Sequence, residues 1–353
     1  MSVSAVPLVD HAAARARREG RGALRVWLGT LIAMVFAMVV VGGATRLTDS
    51  GLSITEWKPV VGAVPPLSSS AWTEEFKRYR LTSQFRILNQ DMTLREFKTI
   101  YWWEWSHRQL GRLIGAVFLF GLIWAAVTRR VDFRTGTALL GMGVLLGTQG
   151  LVGWIMVASG LQPGMTAVAP VKLALHLTLA CLFFSALVAL YVRIGQQSWT
   201  TVPRWTRRAA IGIVVLVFGQ IALGALVAGH DAGLTYNTWP LMDGRFVPQG
   251  LWPFESVWRS LVDDITTIQF NHRIGAYLLS AAILLYVALS HRLVGETGRR
   301  QQRMLLAVVA LQVCLGILTL VFVVPLPLAL AHQAVALLLL GGSVAHAATL
   351  HAA

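Results

Sequence analysis

Apolar residues in this chain gather into long, nearly uncharged runs. Runs of roughly 18 to 22 residues, each enough to carry a helix across a bilayer core, lie near 25–43, 109–127, 137–157, 173–192, 209–229, 273–290, 304–324 and 328–349. A spanning segment must satisfy its own backbone hydrogen bonds, so these runs predict eight transmembrane helices in an all-α integral membrane protein. The basic stretch Arg15 to Arg25 precedes the first run, but that run is too long for a signal-peptide core and lacks a cleavage pattern. It is expected to remain as the first span.

The runs also repeat. Residues 25–192 and 209–349 share order, residue type and approximate spacing across four helices each. After span one comes Asp49-Ser-Gly51-Leu52-Ser-Ile-Thr-Glu-Trp57-Lys-Pro59, and after span five Asp231-Ala-Gly233-Leu234-Thr-Tyr-Asn-Thr-Trp239-Pro240. The next helix of each unit carries His107-Arg108 or His272-Arg273, the third carries Gln149 to Gly153 or Gln312 to Gly316, and the fourth supplies His176 or His332. Four spans is an even number, so both copies enter the membrane the same way round. The expected architecture is two tandem four-helix bundles related by a pseudo-twofold axis along the membrane normal. The corresponding divisions are an N-terminal segment 1–24, a first half 25–192, a linker 193–208 and a second half 209–349.

Composition sharpens this reading. With 56% apolar and 13% charged residues the chain is neither disordered nor an ordinary soluble protein. Its net charge of +14 would suit a nucleic-acid partner, but placement excludes that. Arg15, Arg17, Arg18, Arg21 and Arg25 precede span one; Arg129, Arg130 and Arg134 follow span two; Arg193, Arg204, Arg207 and Arg208 follow span four; Arg292, Arg299, Arg300 and Arg303 follow span six. All fall on one side, which the positive-inside rule makes cytoplasmic together with both termini. The long first outer connection, about 44–106, also holds Lys77, Arg78, Arg80, Arg86, Arg95 and Lys98, and long loops obey that rule weakly. Cys181 and Cys314, the two cysteines, fall inside spans and read as packing residues, not a disulfide or thiolate site.

The chemistry rests on four histidines near the outer ends of their helices. A lone histidine in an apolar helix is more often a packing residue, but repetition turns His107/His176 and His272/His332 into two candidate bis-histidine haem sites, one per half. No cysteine or carboxylate cluster accompanies them to suit zinc or di-iron. His11, His230, His291, His346 and His351 lack counterparts in the other half and read as surface or terminal residues. Arg108 and Arg273 serve either as interfacial anchors or as bidentate partners of haem propionates. Three residues before the first histidine stands Glu104 in one half and Gln269 in the other. A carboxylate on the histidine's face could relay a proton or stabilise developing positive charge; an amide cannot titrate. Trp102, Trp103 and Trp105 read as an interfacial belt, the Asp-x-Gly-Leu segments as turns folded over each outer pocket, and Gln149 and Gln312 as interhelical hydrogen-bonding residues.

At these positions the chain closely resembles the haem A synthase family, in its alphaproteobacterial and mitochondrial branch. The resemblance covers about 25–349 and rests on Gly42-Gly-Ala-Thr45-Arg46-Leu-Thr, Gly51-Leu-Ser-Ile-Thr-Glu-Trp57-Lys-Pro, Tyr101-Trp-Trp-Glu104-Trp-Ser-His107-Arg108 and Phe270-Asn-His272-Arg273. It implies an eight-helix enzyme that oxidises the C8 methyl group of haem O to the formyl group of haem A for terminal-oxidase assembly. It further implies that His272 and His332 hold a haem b cofactor, that His107 and His176 bound the substrate haem, and that Glu104 is the essential acid. A cysteine pair found in an outer loop of another branch is absent here. The implied reaction, two monooxygenations and loss of water from a geminal diol, needs dioxygen and an external electron donor. It also needs an open iron position at some stage, so either a substrate-side histidine is displaced or it has a non-ligand role.

Two other classes fit the paired histidines alone: a dihaem electron-transfer protein and a non-catalytic haem carrier. The asymmetric acid favours the enzyme. Implied partners are membrane lipid, haem O, dioxygen, the electron donor, and a haem O synthase and oxidase-assembly proteins; a homo-oligomer stays open. The short, partly acidic N-terminal segment does not read as a transit peptide, which favours a bacterial inner membrane.

Overall fold

Among the described residues of the computed structural model, eight helices are long and apolar enough to cross a membrane. Described are residues 8–58, 60–196 and 199–352; residues 1–7, Pro59 of the repeated outer motif, Gln197 and Ser198 of the linker, and Ala353 lie outside, as do the side chains of His11, Arg15, Arg17 and Arg18. In chain order the helices are α1 (Leu8–Leu47), α2 (Ser69–Tyr79), α3 (Ser83–Leu88), α4 (Leu94–Val127), α5 (Phe133–Gly160), α6 (Pro170–Gly195), α7 (Arg204–Gly229), α8 (Val257–Asp263), α9 (Ile265–Ser290), α10 (Gly295–Val321) and α11 (Leu326–Thr349). The spanning ones are α1, α4, α5, α6, α7, α9, α10 and α11, the eight that the apolar runs predict.

Helix α4 starts well before its apolar run. Thr93 accepts from the Glu96 N–H, and the Glu96 carboxylate accepts from the Thr93 N–H, a reciprocal cap that begins the helix within the expected loop. Glu104 and His107 therefore sit inside a helix. The remainder of that connection folds too: Trp72, Tyr79, Phe85, Phe97 and Tyr101 form a buried aromatic cluster beneath α2 and α3. Two of its basic residues have acidic partners: Arg78 pairs with Glu56, Glu74 and Glu75, and Lys58 with Glu56. Such pairing offsets part of the charge that a simple count assigns to the outer face.

Helices α1, α6, α7 and α11 pack against one another in the middle, while α4 packs on α1, α5 on α6, α9 on α7 and α10 on α11. The pairings of the first unit thus recur in the second, and one large apolar core runs through both. Gln333 and Arg46 join the units near the outer ends of the central helices. Gln333 of α11 donates to the Val39 carbonyl of α1 at 2.8 Å, with its side chain lying directly over Gly43. Arg46 donates to Asp49 at 3.0 Å and to Asp231 at 2.8 Å. These two aspartates occupy the same position in the repeat, and both adopt left-handed backbone at φ 50° and 51°, a conformation aspartate tolerates in turns.

The chain is not wholly helical. Strand β1 (Thr200–Val202), in the linker, pairs in parallel with β2 (Leu350–Ala352) at the C-terminal end, and three residues are too few for alternation to reveal. His346, read above as a terminal residue, is instead 1% exposed, bonded to the Tyr286 hydroxyl at 2.8 Å and to Gln301 Oε1 at 3.0 Å. Cys181 is buried, whereas Cys314 is exposed on the flank of α10; both are free.

A leucine at Gly43 would displace Gln333 and break its bond to Val39, at a cost of about 1–3 kcal/mol. The detergent melting temperature of Gly43→Leu should fall below that of Gly115→Leu, a position with open space beside it. Equal melting would contradict the contact between α1 and α11.

Candidate functional site

Each of the four repeated histidines lies against a glycine of the neighbouring helix. A methyl group built on Gly224 of α7 would stand 3.1 Å from the His272 ring, and one on Gly316 of α10 2.9 Å from His332. The first half repeats this, with Gly42 of α1 at 3.1 Å from His107 and Gly153 of α5 at 2.7 Å from His176. An added methyl group would overlap the imidazole at Gly153 and Gly316 and crowd it at Gly42 and Gly224, so close approach favours glycine at each of these positions.

One turn before three of those glycines stands a glutamine, in a Gln-x-x-x-Gly pattern. Gln220 donates to the His272 carbonyl at 2.8 Å and lies 3.0 Å from Nδ1 of the same ring. Gln149 donates to the His176 carbonyl at 3.0 Å with its amide nitrogen 3.3 Å from Nε2, and Gln312 reaches His332 Nε2 at 3.5 Å. The interhelical role expected for Gln149 and Gln312 is therefore what the structure contains. Gln220 escaped notice because the first half has Met38 at its place. The thrice-repeated spacing would have found it.

His272 and His332 face each other with ring centres 6.5 Å apart and planes at 84°. Two imidazoles sharing one first-row metal ion, each at about 2 Å from nitrogen to metal, place their ring centres roughly 6 Å apart. The observed pair matches that separation. Nδ1 of His332 and Nδ1 of His176 are buried without a hydrogen-bond partner, a cost on the order of 1–3 kcal/mol that coordination would remove. Among the described residues no cluster of three or more histidine, cysteine or carboxylate groups surrounds either pair. Two nitrogens alone leave a bare ion under-coordinated, whereas a haem brings four nitrogens of its own and needs only axial ligands. The donor set fits haem. No ring contact like that of the second half joins His107 and His176 among the described residues.

The outer connections are clamped over the helices in matching ways. Arg108 donates to the Ile54 carbonyl at 2.9 Å and the Glu56 carbonyl at 3.2 Å. Arg273 donates to the equivalent carbonyls of Tyr236 at 2.7 Å and Thr238 at 2.9 Å. Beneath each arginine sits the asymmetric residue. Glu104, 2% exposed, accepts from the Ser53 hydroxyl at 2.7 Å, the Ile54 N–H at 2.8 Å and Arg108 at 2.6 Å. Gln269 instead donates to the Tyr236 carbonyl at 3.0 Å. Acid and amide hold the same loop position through bonds of opposite sense, and only the first half buries a carboxylate there. Of the three tryptophans expected to form an interfacial belt, Trp102 and Trp103 are exposed, whereas Trp105 is half-buried against the aromatic cluster.

The family model for cytochrome oxidase assembly proteins matches residues 25–344. A haem A synthase of Methylobacterium sp. (strain 4-46) is 54% identical over 98% of this chain and 96% of its own length. One of Methylobacterium nodulans is 55% identical over 89% of this chain and 88% of its own, and one of Chelativorans sp. (strain BNC1) is 48% identical over 94% and 92%.

Gly224→Leu should empty the second-half site, because the new side chain overlaps His272. Gly219→Leu on the same helix, with nothing within 4 Å, should not. Haem content of the two purified variants decides: equal content would mean that the glycine does not seat the imidazole.

Proposed function

This chain belongs to the cytochrome oxidase assembly protein family, to which its haem A synthase relatives also belong, and from that premise we propose that it makes haem A from haem O. The C8 methyl group is hydroxylated twice, each round consuming one dioxygen, two electrons and two protons and releasing one water. The resulting geminal diol loses a further water to leave the formyl group. Electrons come from an external donor.

In this reading residues 25–192 form the substrate half and residues 209–349 the cofactor half. His272 and His332 hold a haem b, which supplies one-electron transfer when bound. His107 and His176 bound the haem O site. Arg108 and Arg273 keep the outer connections closed over the two sites, and as guanidinium groups they would suit the carboxylates of a bound haem. Glu104 is the catalytic acid or electrostatic group, fixed by Ser53, Ile54 and Arg108. One observation carries the assignment of chemistry to the first half: within otherwise matching clamps, that half alone buries a carboxylate, three residues from its histidine. A preorganised charge in an apolar site stabilises developing charge far more than it would in water. The protein is a multi-pass membrane protein; the arginine-rich connections favour an orientation with both termini on the cytoplasmic side. A haem O synthase supplies its substrate and oxidase-assembly proteins take its product.

His272→Ala or His332→Ala should remove the resident haem, read as loss of low-spin absorbance in purified protein. His107→Ala and His176→Ala should lower haem A formation more than resident haem; normal product from both would move the reactive site elsewhere.

Glu104→Gln keeps size and removes charge. Extracted pigments should show haem A reduced about tenfold or more, with haem O or its hydroxylated form accumulating and resident haem retained, while Gln269→Ala has the smaller effect. Wild-type haem A from Glu104→Gln would leave this residue a loop clamp only.

A further inference from the structure

The amide beside each histidine is missing at one of the four. Gln149, Gln220 and Gln312 stand one turn before the glycines that seat His176, His272 and His332, but Met38 stands one turn before Gly42, which seats His107. Methionine has no donor and its sulfur is a weak acceptor. The Met38 methyl group lies over Gly111, a turn beyond His107 on α4, at 3.2 Å from where a methyl group on that glycine would be. Among the described residues the His107 ring has no hydrogen-bond partner. Its seat is Gly42, with the Met38 thioether on the same helix reaching Gly111, whereas the other three imidazoles are each approached by an amide from the facing helix.

We propose that Gln149, Gln220 and Gln312 are positioning residues that hold their histidines in place, and that Met38 leaves His107 as the one imidazole free to turn aside. This rests on the reading of His107 and His176 as bounding the substrate haem and names which of the two yields a coordination position. Three restrained ligands and one loose one fit a protein in which one haem stays coordinated and the other must at some stage accept dioxygen. Methionine suits the loose position for a physical reason: three rotatable bonds and a polarisable sulfur let it refill the space that a moving ring leaves.

Carbon monoxide binding to the dithionite-reduced, full-length protein purified with its haems reports open iron positions without turnover. Met38→Gln, the residue already accommodated at the equivalent position of α7, should give His107 an amide. The carbon-monoxide-reactive fraction should fall about fivefold, the weight of one neutral hydrogen bond, with a matching gain in the low-spin electron paramagnetic resonance signal and a fall in haem A yield. Gln220→Met should do the reverse in the second half, making part of a previously unreactive haem bind carbon monoxide. That arm stays informative if Met38→Gln fails to fold. Unchanged carbon monoxide binding in either folded variant would overturn the positioning role. Failure of the underlying reading looks different: His107→Ala and His176→Ala would then both retain normal haem A formation.

Discussion

Close approach between a glycine backbone and an imidazole is the contact on which the rest of this protein depends. Inside a bilayer there is no hydrophobic gain in pressing one helix on another, so association relies on small residues, packing and interhelical hydrogen bonds. Gly42, Gly153, Gly224 and Gly316 each supply the small residue at a histidine. The same glycine both admits a neighbouring helix and leaves the ring its room. Fold and site are therefore specified by one feature, and neither can be altered at these positions without the other.

What the helices leave open at their outer ends, the connections close. Arg108 and Arg273 reach up from α4 and α9 to carbonyls two residues apart in each loop, a planar fork holding two acceptors at once. Beneath them the sense of one bond is reversed, with Glu104 accepting an N–H and Gln269 donating to a carbonyl. The first loop can therefore keep its place around a buried carboxylate group without an orphaned backbone donor. Geometry common to both halves thus accommodates an electrostatic difference between them.

Much of this was legible in the sequence. Length and polarity of the apolar runs gave eight spans in the right order, and self-comparison gave the repeat and the four histidines. Less legible was whatever depends on short-range contact. The start of α4 at Leu94 was hidden because its first turns carry Arg95, Lys98 and Glu104, so only the Thr93–Glu96 cap marks it. Gln220 has no counterpart in the first half, where Met38 stands, so repetition between the halves does not mark it. His346 lacked a counterpart and was read as peripheral, yet Tyr286 and Gln301 satisfy it deep in the second half. The β1–β2 pairing joins segments almost the whole second half apart, which no local pattern encodes.

Arg46 carries a consequence for how such a molecule can be assembled at all. Its guanidinium spans Asp49 and Asp231, the same position in two successive units, and the place equivalent to its own in the second unit is Ala228. Two identical four-helix chains meeting around a dyad would have to present the arginine twice, crowding two cations onto one pair of carboxylates, and every other side chain would likewise be duplicated. A self-assembled dimer could not carry an acid at one site and an amide at the other, or a methionine at one position of the first helix and a glutamine at its twin. Covalent tandem linkage removes that obligation, so division of labour between the copies is a property of the single polypeptide.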